Sequence, residues 1–199
     1  MVAGSNVSIL LNAFKNKTKL QIITLLLKNG PMTVTQISKF VKTTRSNLYQ
    51  TMRDLMEDGI VVLKESKVVK NYVEKFYILN MDFFESVSST EIKDAITKLS
   101  VQDLKDLIVS YLLATSFVLR LISEEISFLD ESEMQRYREL IASGKIIMSF
   151  STISENLSRP FSEIFFNYMK EAEAKQKGEK DEYFLSVSMF PLFSVKAES

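Results

Sequence analysis

The side chains with the clearest chemical potential lie in residues 43–59, which the sequence predicts to form an amphipathic helix. The apolar residues of this segment recur at helical spacing and make one narrow stripe: Leu48, Met52, Leu55 and Met56. Polar residues lie off the stripe: Arg45, Ser46, Asn47, Tyr49, Gln50 and Arg53. Arginine, asparagine, glutamine and serine pair with base edges or phosphates in a DNA major groove. The helix is therefore a candidate for reading DNA, and a solvated helix that contacts a protein partner is the alternative.

Residues that precede and begin this helix extend the candidate set. Thr33 and Gln36 have the spacing of a capping box at the start of a preceding helix. Lys42 lies in the turn between the two helices, and Thr44 is the expected N-cap of the second. The predicted DNA-binding residues of the helical region are Thr33, Gln36, Lys42, Thr44, Arg45, Ser46, Asn47, Tyr49, Gln50 and Arg53. The sequence leaves open which of them read bases and which bind phosphates.

A basic segment follows the helix. Residues 60–63 and 73–79 have the composition and alternation of strands, and residues 64–72 are the predicted loop between them. The loop contains three lysines and only one acid, and lysine is a good phosphate partner. We expect a wing that lies along the DNA backbone or minor groove, with a solvated hairpin tip as the alternative. Its candidate residues are Lys64, Lys67, Lys70, Asn71 and Tyr72.

The charge of the chain is divided between its two parts, although its formal net charge is zero. Residues 1–80 contain 12 Lys and Arg against 5 Asp and Glu, a net charge of +7. Residues 81–199 contain 13 against 20, a net charge of −7. A basic half-chain indicates a polyanionic partner, here double-stranded DNA, and chance unevenness between solvated faces is the alternative.

Several kinds of chemistry are excluded by composition. The chain has no His and no Cys, so it cannot form disulfides, imidazole or thiolate metal sites, or a Cys or His catalytic centre. Its five glycines are isolated and cannot build a glycine-rich phosphate loop. We therefore expect no cofactor, no metal site and no enzymatic activity.

The elements that position the candidate residues follow a recognisable order. Short helices are predicted at 7–15 and 17–29, followed by a third helix capped at Thr33, a tight turn, the helix 44–58 and the basic hairpin. This is the order of a winged helix-turn-helix. Residues from about 10 to 80 resemble the arsenical-resistance-repressor-like (ArsR-like) winged-helix family of bacteria and archaea. The resemblance lies in residues 11–23, 32–38, 44–56, 58–61 and 73–77, the last similar to the closing wing strand of archaeal members.

The resemblance implies a DNA-binding regulator, with two departures. The metal-sensing branch of the family uses Cys or His ligands, so metal sensing is not implied for this chain. The turn before the recognition helix often contains Gly in the family, and here Lys42 occupies that region. If the position needs a positive φ, Lys42 carries a strain of about 1 kcal/mol.

Residues 81–199 are predicted to be mainly helical. Ser89 or Thr90 can cap one helix, Ser100 a long helix over about 101–129, and Asp130 another. Strands are predicted at 145–152 and 183–190, and Pro160 is expected in the first turn of a helix that runs to about residue 177. The long helix is apolar over much of its circumference, so we expect it to contact a second subunit. Its predicted dimerisation residues are Leu104, Ile108, Tyr111, Leu112, Val118 and Ile122.

These features predict a mainly α fold with a small β component. A winged helix-turn-helix over 1–80 is followed by a helical dimerisation domain over 81–199, which contains a small strand–helix–strand unit and could bind a small-molecule effector. The predicted function is a homodimeric, sequence-specific transcriptional regulator, by default a repressor. We expect a cytoplasmic protein without a membrane span, because the charge-free run 108–119 is short and the N-terminus lacks a signal pattern. A protein-interaction module and a sequence-neutral architectural DNA binder are the alternatives.

Overall fold

The fold is described from a computed structural model, over residues 5–144, 146 and 155–175. Helices dominate, together with a small antiparallel sheet, which confirms the predicted fold class. The elements of the first part are α1 (Asn6–Phe14), α2 (Lys17–Asn29), β1 (Met32–Thr33), α3 (Val34–Ile37), α4 (Arg45–Glu57), β2 (Val61–Val69) and β3 (Tyr72–Leu79). They are followed by α5 (Met81–Glu85), α6 (Ser89–Ile96), α7 (Val101–Ser127), α8 (Glu131–Ala142) and α9 (Glu155–Lys175).

Helix starts follow the local sequence closely. The caps predicted from sequence are confirmed at Asn16, Thr33 with Gln36, Thr44, Ser100 and Asp130. The prediction for α6 was wrong by one or two residues, because Ser88 is the cap. Its hydroxyl accepts from the Glu91 N–H, and the Glu91 carboxylate accepts from the Ser88 N–H in return. This reciprocal pair of bonds satisfies two backbone N–H groups. Glu91 is at the third helical position only when Ser88 is the cap, so a cap at either of the two predicted residues would lose the pair.

The hairpin is longer than the sequence suggested. The sheet has the order β1-β3-β2, and β2 pairs with β3 up to Val69↔Tyr72, with a register shift between Leu63 and Glu65. The prediction of a loop over 64–72 was therefore wrong, since the turn is only Lys70–Asn71. Lys70 has a φ of 53°, and it is the described non-glycine residue that adopts this left-handed conformation. The strain expected at Lys42 does not occur.

A single apolar core joins the helix-turn-helix to α7. The buried residues of α4 and α2 pack together, and α7 lies against α2 through its own buried face: Ser110, Ala114, Phe117, Val118 and Leu121. Val118 is 0% exposed. Its prediction as a dimerisation residue is therefore wrong, because its side chain is already enclosed by its own chain.

Polar bonds fix α7 at three points along its length. The Lys15 Nζ lies 2.7 Å from the Asp103 carboxylate at the start of α7, and Lys28 Nζ lies 2.6 Å from Glu125 near its end. Between them, the buried Ser110 hydroxyl donates to the Lys15 carbonyl over 2.8 Å. Because these bonds are spread over most of the helix, they set its direction as well as its position.

The chain divides into two compact units, Met1–Phe128 and Leu129–Ser199. The division expected at residue 80 does not separate them, because α7 is part of the core that contains α2 and α4. The apolar packing of α7 is thus shared with the winged helix, which periodicity alone could not show.

In the second unit, α8 begins with a capping box between Asp130 and Glu133. Helix α9 contains Pro160 in its interior, so the prediction that this proline lies in the first turn was wrong. The rings of Phe161 and Phe165 stack in α9 with centroids 6.5 Å apart. The strands predicted at 145–152 and 183–190 lie outside the described residues, except for residue 146.

Among the described residues, α7 is long and apolar enough to cross a membrane by length and composition. One such helix is weak support for a membrane span, since the core helix of a soluble protein passes the same test. Part of α7 is buried against α2 and is bonded to α1 and α2 by the three contacts above. These contacts explain why α7 is apolar on the side that faces α2. They do not involve the apolar residues on its exposed side.

Candidate nucleic-acid interface

Helix α4 presents a polar face directly opposite its buried stripe. Leu48, Met52 and Leu55 are no more than 2% exposed. Met56, which the sequence placed on the same stripe, is 40% exposed. At 100° per residue, the positions farthest from the stripe are Ser46, Gln50, Arg53 and Glu57, all of them exposed. We call these four residues the outer face of α4.

The first turn of α4 is held by its cap. The Thr44 hydroxyl accepts from the Asn47 backbone N–H over 3.2 Å, and the Asn47 side-chain amide donates to the Thr43 hydroxyl over 2.6 Å. The Arg45 guanidinium lies over the Tyr49 ring, 5.8 Å from its centroid. This turn is therefore ordered by its own side chains, with the helix N-terminus, where a phosphate binds favourably, open to solvent.

Three charged side chains lie on or beside the outer face of α4: Arg53 and Glu57 are on it, and Asp54 is at its edge. Arg53 has no side-chain hydrogen bond or ion pair with another described residue, so its five donors can bind a ligand. Asp54 accepts a hydrogen bond from the Gln50 Nε2 over 2.7 Å. Asp58, at the end of α4, is paired with Lys19 of α2 over 2.8 Å.

The helix before α4 contributes less than the sequence suggested. Thr33 is 7% exposed, and its hydroxyl accepts from the Gln36 N–H, while the Gln36 Oε1 accepts from the Thr33 N–H. The prediction that Thr33 contacts DNA is therefore corrected, because a buried hydroxyl already used in a cap cannot reach a ligand. Gln36 and Lys42 stay exposed, and the capping box uses only the oxygen of the Gln36 amide.

The wing has two chemically different faces, because side chains alternate along paired strands. One face contains both acids of the wing, Glu65 and Glu74. On the same face, the Lys67 ammonium lies over the Phe76 ring and 3.0 Å from the Glu65 carboxylate. We call this the acidic wing face. Tyr72 also alternates onto it.

The opposite face, which we call the inner wing face, has no acid in the paired region. It consists of Ser66, Val68, Val73, Lys75 and Tyr77. Val68 and Val73 are directly paired near the turn, and Val68 is 78% exposed. Partial burial, with a smaller contribution from Tyr49 of α4, raises the pKa of Tyr77. At the base of the hairpin, Val61 and Leu79 alternate onto this same face and are buried in the core with the apolar stripe of α4, so the inner wing face is on the side of α4.

The α4 residues and the wing thus lie in the same compact unit. Apart from Lys64, however, the predicted wing residues are divided between the acidic wing face and the turn. Lys67 and Tyr72 lie on the acidic wing face, and Lys70 and Asn71 form the turn. Lys75 was not among the predicted wing residues, because that set was limited to the predicted loop. The alternation of residues 73–79 was the signal that could have found it.

A comparison with protein families agrees with this fold. Residues 15–62 match the family model described as winged helix-turn-helix DNA-binding. The N-terminal region has a winged helix-turn-helix fold. The match extends from α2 to the start of β2 and includes all of α4.

The solved structure of HlyU from Vibrio cholerae N16961 is 26% identical, with a TM-score of 0.32, over 45% of this chain and 83% of its own. No match was found among curated proteins.

Proposed function

We propose that the protein is a homodimeric, sequence-specific transcriptional regulator of the ArsR-like, non-metal-sensing type found in archaea. The observation that supports this most is the outer face of α4, where Ser46, Gln50 and Arg53 lie opposite a fully buried stripe. Such a face presents hydroxyl, amide and guanidinium groups together, and these are the groups that bind base edges in the major groove.

The wing supplies the second contact. A hairpin with its basic turn and an acid-free inner face fits along the phosphate backbone or into the adjacent minor groove. Lys64, Lys70 and Lys75 provide charge without base preference, so their contribution is affinity and orientation. The base preference then depends on α4.

The exposed side of α7 supports the homodimer. Its large apolar residues remain partly exposed in the single chain: Leu104, Ile108, Tyr111 and Leu112, with Ile122 less so. Contiguous apolar surface of this kind is typical of an interface. A symmetric dimer through α7 would place two copies of α4 on half-sites about 34 Å apart, as in other helix-turn-helix dimers.

Repression is the mechanism proposed for this regulator, because a protein that occupies a promoter blocks access to it. The acidic second half supplies the remaining surface on which a small-molecule effector could act. We expect the protein to work in the cytoplasm.

A fluorescence anisotropy titration tests the proposal. Full-length protein is mixed with DNA selected from a random pool and with unselected DNA, at several salt concentrations. We expect a selected site to bind at least a thousandfold more tightly than unselected DNA, with affinity that falls steeply as salt rises. Equal affinity for both would contradict sequence-specific regulation and favour an architectural DNA binder. Sedimentation of the free protein checks the dimer independently.

One observation favours a different function. Val68, Tyr72 and Val73 are more than half exposed at the end of the wing, and exposed apolar side chains are also typical of protein-binding surfaces. A winged helix that joins a transcription or replication assembly would use this surface for a protein. The absence of any DNA binding in the titration would favour this alternative.

A further inference from the structure

We propose that Asp54 is a positioning residue that orients the Gln50 amide so that Gln50 selects adenine over guanine in the major groove. This inference rests on the proposed function and adds a base preference to it. Asp54 was not among the residues that the sequence indicated for DNA binding.

The contact itself fixes the orientation of the amide. The Gln50 Nε2 donates to the Asp54 Oδ1 over 2.7 Å, one helical turn along α4. An ionised carboxylate can only accept hydrogen bonds, so the amide nitrogen must face Asp54. The Gln50 Oε1 is therefore turned away from Asp54.

The position of the pair on α4 determines where that oxygen is available. Gln50 is exposed and central on the outer face, with Ser46 four residues before it and Arg53 three residues after it. Asp54 is only partly exposed and lies to the side of this face. The pair thus has its acceptor group at the centre of the face and its acid at the edge.

The groups that remain free on Gln50 match one purine. After donation to Asp54, the amide keeps its Oε1 acceptor and one N–H donor. Adenine presents an N6 donor and an N7 acceptor in the major groove, and glutamine pairs with both. Guanine presents acceptors at O6 and N7, so the fixed Oε1 would face another acceptor. An amide that is free to rotate could turn its oxygen aside and present both of its N–H groups to the O6 and N7 of guanine, and the hydrogen bond to Asp54 prevents that rotation.

Of the two acids within α4, Asp54 and Glu57, only Asp54 has a side-chain hydrogen bond with a described residue, and its partner is Gln50. Asp58 is neutralised by Lys19 at 2.8 Å, so it has a structural partner. Asp54 has no ion pair with a described residue, and its side-chain hydrogen bond is with Gln50. An unpaired carboxylate beside a DNA-binding face weakens binding to all DNA by repulsion of phosphates. The base preference that Asp54 gives to Gln50 compensates for this loss of affinity.

The experiment measures base preference separately from affinity. Preferred sites are selected from a random DNA pool with the full-length wild type, Gln50→Ala, Asp54→Asn and the control Glu74→Gln. Glu74 is on the acidic wing face, so its substitution removes one negative charge and leaves the outer face of α4 unchanged. Anisotropy titrations then compare adenine and guanine at each position of the half-site, and thermal unfolding checks that each variant is folded.

We expect one position at which the wild type prefers adenine over guanine by about tenfold. Gln50→Ala should abolish this preference. Asp54→Asn should reduce it to near parity while affinity for unselected DNA rises, because an asparagine can accept from or donate to either end of the Gln50 amide. Glu74→Gln should also raise affinity for unselected DNA, because it removes a negative charge, and it should keep the preference.

Two results would overturn the inference while the proposed function stands. One is specific DNA binding in which Asp54→Asn keeps the adenine preference, and the other is specific binding in which Gln50→Ala does so. A wild type that binds no DNA would overturn the proposed function and this inference together, so the two failures are distinguishable.

Discussion

Two leucines on the same helix offer a direct test of how α7 is used. Leu121 is 4% exposed and packs in the core, whereas Leu112 is 42% exposed in the single chain. Leu121→Ala should lower the free energy of unfolding by about 2–5 kcal/mol, the usual range for a buried leucine. Leu112→Ala should affect the isolated chain much less, because much of its side chain is already in water.

The effect on association should be the reverse. Complete burial of a leucine contributes about 1.5–3 kcal/mol, so covering the exposed 42% of Leu112 contributes about 1 kcal/mol per protomer. A symmetric interface contains the residue twice, which gives about 2 kcal/mol and a dimer dissociation constant about thirtyfold higher for Leu112→Ala.

Sedimentation equilibrium measures the dissociation constant, and urea unfolding at a concentration where the variants are monomeric measures the stability of the chain. Concentration must be matched, since association with a partner adds to apparent stability. An unchanged dissociation constant for Leu112→Ala would refute the assignment of this side of α7 to the dimer. An unchanged unfolding free energy for Leu121→Ala would refute the packing of α7 on the core.

Three further predictions follow from the contacts. Arg53→Ala should weaken binding to a selected site by about tenfold or more in an anisotropy titration, because its guanidinium is free on the outer face of α4; unchanged affinity would remove it from the interface. Lys75→Ala should reduce the slope of log affinity against log salt by about 1, while Lys67→Ala, on the acidic wing face, should leave the slope unchanged; equal effects would contradict the division of the wing into two faces. The hydrogen bond from Lys15 lowers the pKa of Asp103 below its usual 3.8. A lowered folded-state pKa gives stability that is present above the unfolded value and lost as pH falls through the folded one, so acid unfolding below about pH 4 should become less steep in Asp103→Asn.

The parts of the fold that could be predicted are those decided by neighbouring residues. A cap needs only a hydroxyl or amide and a backbone N–H two or three residues later, and Asn16 and Thr44 satisfy this within one turn. The length of the hairpin could not be predicted in the same way. Residues 64–69 read as a polar loop in isolation and become a strand because β3 lies beside them in register.

The sequence could predict which face of α4 is polar. It was a poorer guide to which individual side chains the fold leaves free to make contacts. Helical periodicity placed Gln50 and Arg53 away from the apolar stripe, which the structure agrees with. Periodicity could not show that Thr33 would be enclosed, nor which side of α7 would meet α2 and bury Val118. Both depend on the packing of elements distant in sequence, and no local pattern reports that packing.

The chain of contacts from α7 to α4 has a consequence for the DNA that a dimer can bind. Lys28 connects α7 to α2, and Lys19 connects α2 to Asp58 at the end of α4. If two copies join through α7, the separation and relative rotation of their recognition helices are set by this frame. One added base pair moves a half-site by about 3.4 Å and turns it by about 34°. Substitutions along α7 would therefore change the spacing between half-sites that the dimer accepts and leave the bases read within each half-site unaltered.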